Sequence, residues 1–142
     1  EAIPLKQIDR LRQRSNAINS LYAKYKNQGK KQLAICLHID SRASEKRIDM
    51  FFYHHANSSK GKEIAQTLHS TIKAKYDYYN PWRGYDGDVS SRDLFMLRET
   101  HPTTVYSELG NIKNPKDQDR FIIASNRQAI ADWFRDGLLK VD

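Results

Sequence analysis

Seven consecutive residues, Leu33-Ala34-Ile35-Cys36-Leu37-His38-Ile39, constrain the fold of this chain more than any other stretch. All but His38 are apolar, and they would cover both faces of an extended segment. A surface helix shows a stripe and a half-exposed strand alternates. An unbroken apolar run of this length fits a central strand buried on both sides. Such a strand needs a neighbour along each edge and helices above and below, which already points to an α/β layer architecture.

The remaining segments supply those layers in part. After Pro4, apolar residues recur at helical spacing from Leu5 through Ile8, Leu11, Ile18, Leu21, Tyr22 and Tyr25, with Gly29-Lys30-Lys31 as a stop. Ile48–Tyr53 is a short aromatic strand candidate. The serines of Asn57-Ser58-Ser59 can cap a helix running from about Gly61 to Tyr76, whose stripe is Ile64, Ala65, Leu68, Ile72 and Tyr76. Asp77–Arg92, with Pro81, Gly84, Gly87, Trp82, Arg83 and several tyrosines, reads as a long loop. Leu94–Leu97 is read as a third strand, ended by His101-Pro102, and Thr103–Ser107 as a fourth. A closing helix is expected over Asn126–Leu139. The sum is one domain over 1–142: a mixed, mostly parallel sheet flanked by helices. Few strands are on offer to surround Leu33–Ile39, and the chain opens at Glu1 rather than Met, so we expect the first strands to lie upstream.

The formal net charge is +7, which favours polyanions such as nucleic acid, acidic lipid or an anionic wall polymer without choosing among them. No apolar run reaches membrane-spanning length and none looks like a signal peptide. Cys36 is the only cysteine, set in the apolar run, and is expected to be buried and inert.

Chemistry-bearing residues are few. His38 and Glu108 each fall at the end of a predicted strand and could meet across adjacent strand ends. Imidazole is a good zinc ligand, and a carboxylate next to a reacting water is a good proton shuttle. His54 and His55 are adjacent and would face opposite sides of a strand. His69 and His101 read as packing or surface residues. Trp82, Arg83 and tyrosines 76, 78, 79 and 85 could stack on bases or sugars, or could simply pack a loop.

Read in order, Leu11-x-x-Arg14 with Asn19, Leu37-His38-Ile39-Asp40-Ser41, Arg83-Gly84, Leu94-Phe95-Met96-Leu97-Arg98 and Glu108-Leu109-Gly110-Asn111-Ile112-Lys113-Asn114-Pro115-Lys116-Asp117 form a succession. It resembles that of the zinc-dependent N-acetylmuramoyl-L-alanine amidases of the amidase 3 type, over nearly the whole chain. The last motif is the most specific.

The resemblance implies a zinc-exopeptidase-like α/β fold. It also implies hydrolysis of the amide between N-acetylmuramic acid and L-alanine in peptidoglycan, and a location in the periplasm or cell envelope. It casts His38 as a Zn2+ ligand and Glu108 as the catalytic carboxyl, with Asp40 and Ser41 orienting His38. Arg83, Trp82 and Arg98 become candidate substrate contacts. Peptidoglycan is then the expected partner, and nucleic acid is not. The family's other two ligands, a histidine and a glutamate, have no counterpart in this sequence. The chain is therefore expected to be the C-terminal part of an amidase domain, with weak or no zinc binding alone. At Asn111 and Ile112 the family prefers Phe and Leu, a departure expected to touch only the packing of a turn. A reading from a different class is a non-catalytic module that holds peptidoglycan or another polyanion.

Overall fold

The computed structural model describes residues 2–141. It contains a four-stranded sheet with helices on both faces, as expected. In chain order the elements are α1 (Gln7–Tyr25), β1 (Leu33–Asp40), β2 (Phe51–His54), α2 (Ser59–Tyr79), β3 (Val89–Ser91), α3 (Phe95–Glu99), β4 (Thr103–Asn111), α4 (Pro115–Ile122) and α5 (Ala124–Leu138). A single 3-10 turn, Pro81–Arg83, follows α2. The strand order is β1-β4-β2-β3, with β1 and β4 parallel, β2 and β3 parallel, and β2 antiparallel to β4.

The core lies between one sheet face and the α2–α5 pair. Phe52 and Val105 from the sheet meet Ile64, Leu68 and Ile72 of α2 and Ile130 and Phe134 of α5. Each such side chain contributes about 1.5–3 kcal/mol when fully buried. Ser58 caps α2 by accepting a hydrogen bond from the Gly61 amide at 3.0 Å. Gly137 lets the two helices close: a Cβ there would sit 2.9 Å from a Leu68 methyl.

Four expectations change. Leu33–Ile39 forms an edge strand, not a central one, with β4 as its only neighbour among the described residues. Ile35 reaches the core but Leu37 is 61% exposed. Beneath it, Leu37, Leu109, Phe134 and Leu138 line an apolar cavity of about 620 Å3. Leu94–Leu97 is no strand; it enters the short helix α3, which buries Met96 and Leu97. Short apolar runs carry no periodicity to tell the two apart, and burial decided it. The expected loop 77–92 holds the end of α2, the 3-10 turn and β3. Finally, β4 runs through Gly110 to Asn111, so Glu108 lies inside a strand rather than at its terminus. Gly110 does not loosen a turn. A Cβ there would lie 3.2 Å from the Phe121 ring.

Candidate active-site face

Register brings the two chemistry-bearing residues together. His38 on β1 is the direct partner of Glu108 on β4, and Cys36 is the partner of Tyr106. On β2, Phe51 lies opposite Glu108 and Tyr53 opposite Tyr106. Because side chains alternate along a strand, these residues share the sheet face that points away from the α2–α5 core. The His38 ring stacks on Tyr106, with centroids 4.4 Å apart and planes 22° apart. A bulge separates His38 from Asp40, and the Asp40 carbonyl then accepts the Ile112 amide at 2.8 Å.

Glu108 is electrostatically unusual. Its Oε2 is buried and has no hydrogen-bond partner. Burial, followed by the charge of Asp40, pushes its carboxyl up to about 7, against the opposing pull of Arg42 and Arg92. A carboxyl titrating there can both take and give a proton at neutral pH. His38 moves the other way. Burial, then the charge of Arg14 on α1, lowers its pKa and favours the neutral imidazole, the form that ligates metals. Tyr106 is raised to about 12 by burial and then by Glu108, so its hydroxyl keeps its proton. The Cys36 thiol is likewise pushed up by burial, in line with an inert cysteine.

The other expected site residues are placed differently. The Asp40 carboxylate accepts from Arg42 Nε at 2.9 Å and from the Ser41 amide at 2.7 Å. Its effect on the face is exerted on Glu108 through charge. Arg83 is held in a buried ion pair with Asp49, on the α2 side of the molecule. Arg98 pairs with Asp93 at 2.7 Å and Glu99 at 2.8 Å on the surface. Trp82 is almost fully exposed. The face itself contains residues that sequence reasoning passed over: Tyr106, Tyr53, Arg42 and Arg92. Arg92 lies over the Tyr53 ring at 4.9 Å and Arg42 over Phe51 at 4.7 Å. Strand alternation carried the signal for Tyr106, two positions before Glu108.

The motif after Glu108 is a brace for this face. Asn111 is fully buried, and its Nδ2 donates to the Ser44 and Lys46 carbonyls at 2.8 and 3.0 Å. Its Oδ1 accepts the Lys113 amide at 3.1 Å. Asn111 therefore ties down the 42–46 segment that carries Arg42, which goes beyond turn packing. Asp117 Oδ2 accepts the amides of Ile48 and Asn111, both at 2.9 Å. Asn114 caps α4 and also donates to the Glu45 carbonyl at 2.7 Å. On the other flank Asn19 of α1 donates to the Glu99 carbonyl at 2.8 Å and accepts the His101 amide at 2.7 Å.

Among the described residues, no three His, Cys, Asp or Glu side chains gather into a metal-binding group. A catalytic zinc takes three protein ligands. A neutral His38 beside a carboxyl with a free buried oxygen suits one corner of such a site, and the described residues do not complete it.

No curated protein sequence matches the chain. Among solved structures, an N-acetylmuramoyl-L-alanine amidase from Clostridium difficile 630 superposes with a TM-score of 0.73 at 19% identity, over 91% of this chain and 63% of that one. The amidase AmiC2 of Nostoc punctiforme gives 0.67 at 15% identity, over 86% and 62%. The catalytic domain of CwlV, an amidase from Bacillus (Paenibacillus) polymyxa var. colistinus, gives 0.64 at 20% identity, over 93% and 66%. The chain thus spans less than two thirds of the length of these structures, and identities this low speak for a shared fold. The sequence profile of one family, Amidase_3, described as N-acetylmuramoyl-L-alanine amidase, matches residues 7–140, nearly the whole chain. The chain belongs to the N-acetylmuramoyl-L-alanine amidase family.

Proposed function

We propose that this chain forms the Glu108-bearing part of a zinc-dependent hydrolase that cleaves the amide between N-acetylmuramic acid and L-alanine in peptidoglycan. The observation that carries it is Glu108: a carboxyl with an unpartnered buried oxygen, titrating near 7, in direct register with a neutral His38. Glu108 takes a proton from the attacking water and returns it to the leaving amine, a role that needs reach and a pKa close to ambient pH. Tyr106 holds the His38 ring by stacking, and Arg42 and Arg92 keep Glu108 from rising further. His38 contributes one nitrogen to the metal, which when bound supplies Lewis-acid polarisation of the carbonyl.

The remaining donors come from outside residues 1–142 in this reading. Its support is the unpaired outer edge of β1 with Leu37 exposed, and the additional length of the structures that share the fold. Calorimetric titration of zinc into this chain and into one extended upstream tests that part; tight binding by the short chain refutes it. The cell envelope or its exterior is the corresponding location. No described helix is long and apolar enough to cross a membrane.

The activity is tested on purified sacculi, reading the appearance of peptides with a free L-alanine amino group. Release by the upstream-extended chain that disappears in Glu108→Ala and in His38→Ala supports the proposal. Release that survives both substitutions, or none from the unsubstituted protein with zinc, sinks it.

A further inference from the structure

The aromatic stretch at the end of α2 takes no part in the His38–Glu108 face. Tyr79 is 66% exposed and Trp82 is 93% exposed, a large apolar area to leave in water. Tyr79 lies nearly parallel to Trp133 of α5, with planes 10° apart and centroids at 6.1 Å. Tyr76 meets the same indole edge-on at 5.1 Å. These rings border a cavity of about 400 Å3 between α2, α4 and α5, whose lining also includes Arg47 and Lys116.

The charges there divide into two kinds. Arg83 and Arg120 also line the cavity, but Asp49 and Asp117 neutralise them. Arg47 and Lys116 have no carboxylate within ion-pair distance among the described residues; Arg47 donates only to the Arg83 carbonyl, at 3.2 Å. Lys116 moreover occupies the first turn of α4, where the helix dipole favours an acid and disfavours a cation. Locally it is misplaced, and a bound anion would compensate it.

We propose that this cavity is a second binding site, for a carboxylate-bearing hexosamine unit of a glycan chain. A pyranose ring offers an apolar C–H face that the Tyr79 and Trp133 rings can cover, while a carboxylate on the ring's substituent reaches Arg47 or Lys116. The volume suits one sugar residue. Two uncompensated cations suit one acidic group, whereas a nucleic-acid strand needs a track of them. The choice of sugar rests on the peptidoglycan reading, in which hydrolysis of the muramoyl amide leaves such a carboxylate on the glycan.

The sequence contains two tryptophans: Trp133 lines the cavity and Trp82 lies on the 3-10 turn between its lining residues Asn80 and Arg83, so intrinsic fluorescence reports on this region. The protein is titrated with the N-acetylglucosaminyl-N-acetylmuramic acid disaccharide, with a neutral N-acetylglucosamine tetramer and with oligothymidylate. We expect a saturable change with the carboxylated disaccharide, weakened about tenfold by Tyr79→Ala and by Lys116→Glu, as loss of one stacked ring or one charge implies. Both substitutions are at exposed positions, and unchanged far-UV circular dichroism shows that the fold persists. Equal affinity for the neutral tetramer, preference for oligothymidylate, no saturable change, or full binding by both variants overturns the proposal. Glu108→Gln is expected to leave this binding intact. Sugar binding by the upstream-extended chain with zinc, without any muramoyl-amide hydrolysis, would thus defeat the activity reading and leave the sugar site standing.

Discussion

Two parts of this molecule bury carboxylates, and they do opposite things with them. Below the 3-10 turn, Asp49 faces the guanidinium groups of Arg83 and Arg120, while Arg120 also lies 3.1 Å from Asp117. The Arg120 Nη1 donates to the Ile48 carbonyl at 2.7 Å and to the Leu109 carbonyl at 3.1 Å. Burial works against the Asp49 charge, but the Arg83 hydrogen bond, the Asp86 amide and the two guanidinium charges outweigh it and hold its carboxyl below the ordinary range. On the other side of the sheet, Glu108 is half-buried as a residue, but its Oε2 is buried and given no partner, so its carboxyl rises to about 7. Asp117 Oδ1 also lacks a hydrogen bond, but it lies 3.1 Å from the Arg120 guanidinium: a buried carboxylate held in an ion pair is architecture, and one left without an ion pair is available for proton transfer.

The strongest way to break this contrast is to remove Arg120. Arg120→Met leaves Asp117 buried without its cation and Asp49 with one instead of two, and we expect a loss of about 3–5 kcal/mol in urea unfolding. Adding Asp117→Asn should recover part of it. If Arg120→Met costs no more than an ordinary surface change, the network is not what stabilises this side.

Asn111 links the two regions, since it shares Asp117 with the network and anchors the segment just after Arg42. Asn111→Ala strands two carbonyls and the Lys113 amide, and should cost about 1–3 kcal/mol. The loss should be accompanied by faster amide hydrogen exchange over residues 42–46. Unaltered exchange there would mean the segment is held by something else.

Titration separates the two sides because the shifts of the two carboxyls run in opposite directions. The Glu108 carboxyl is raised from 4.5, so the folded chain keeps a proton that the unfolded chain has released. Its contribution to stability is full below about pH 4.5 and is lost as pH climbs through about 7. Asp49, with its depressed carboxyl, contributes above the usual carboxylate range and loses that contribution as pH falls through its lowered value. Glu108→Gln should therefore abolish the decline between about pH 4.5 and 7 and raise stability above neutrality by about 1–2 kcal/mol, allowing for solvent screening of a partly exposed group. Urea midpoints across that range decide it. A variant with the same slope as the unsubstituted chain would place the raised group elsewhere.

How far the residues themselves announce this arrangement depends on the kind of signal. The long helices were legible because α1, α2 and α5 each repeat apolar residues at helical spacing. Thr103–Ser107 was legible as a strand, but its continuation through Glu108 and Gly110 was not, since both look like the end of one. Leu33–Ile39 announced a strand and misled about its position: an apolar run records what a segment can bury, not which neighbours are present. The pairing of His38 with Glu108 was foreseen from strand ends and motif order, and register delivers it. Arg42, Arg92 and Tyr53 were not foreseen, because they reach the face from loops and a strand whose order in the sheet is set by tertiary packing. Arg83 is the instructive case. Its position in the motif suggested a ligand contact, and its side chain is committed to Asp49.

The smallest expected effect tests the site face alone. Tyr106 covers one side of the His38 ring, and burial is the leading cause of the lowered His38 pKa. Tyr106→Phe keeps the stack and should change little. Tyr106→Ala removes it, costing about 0.5–1.5 kcal/mol of ring–ring contact beyond the area lost. It should also let the His38 pKa move back up toward 6.5, measured by the NMR titration of its ring protons. That combination, a modest change in stability with a clear change in protonation, is the reverse of the result expected at Arg120. If Tyr106→Ala instead destabilised the chain severely with no movement at His38, the stack would belong with the structural network, and the division between an ion-paired side and a chemically available side would fail at its most direct point.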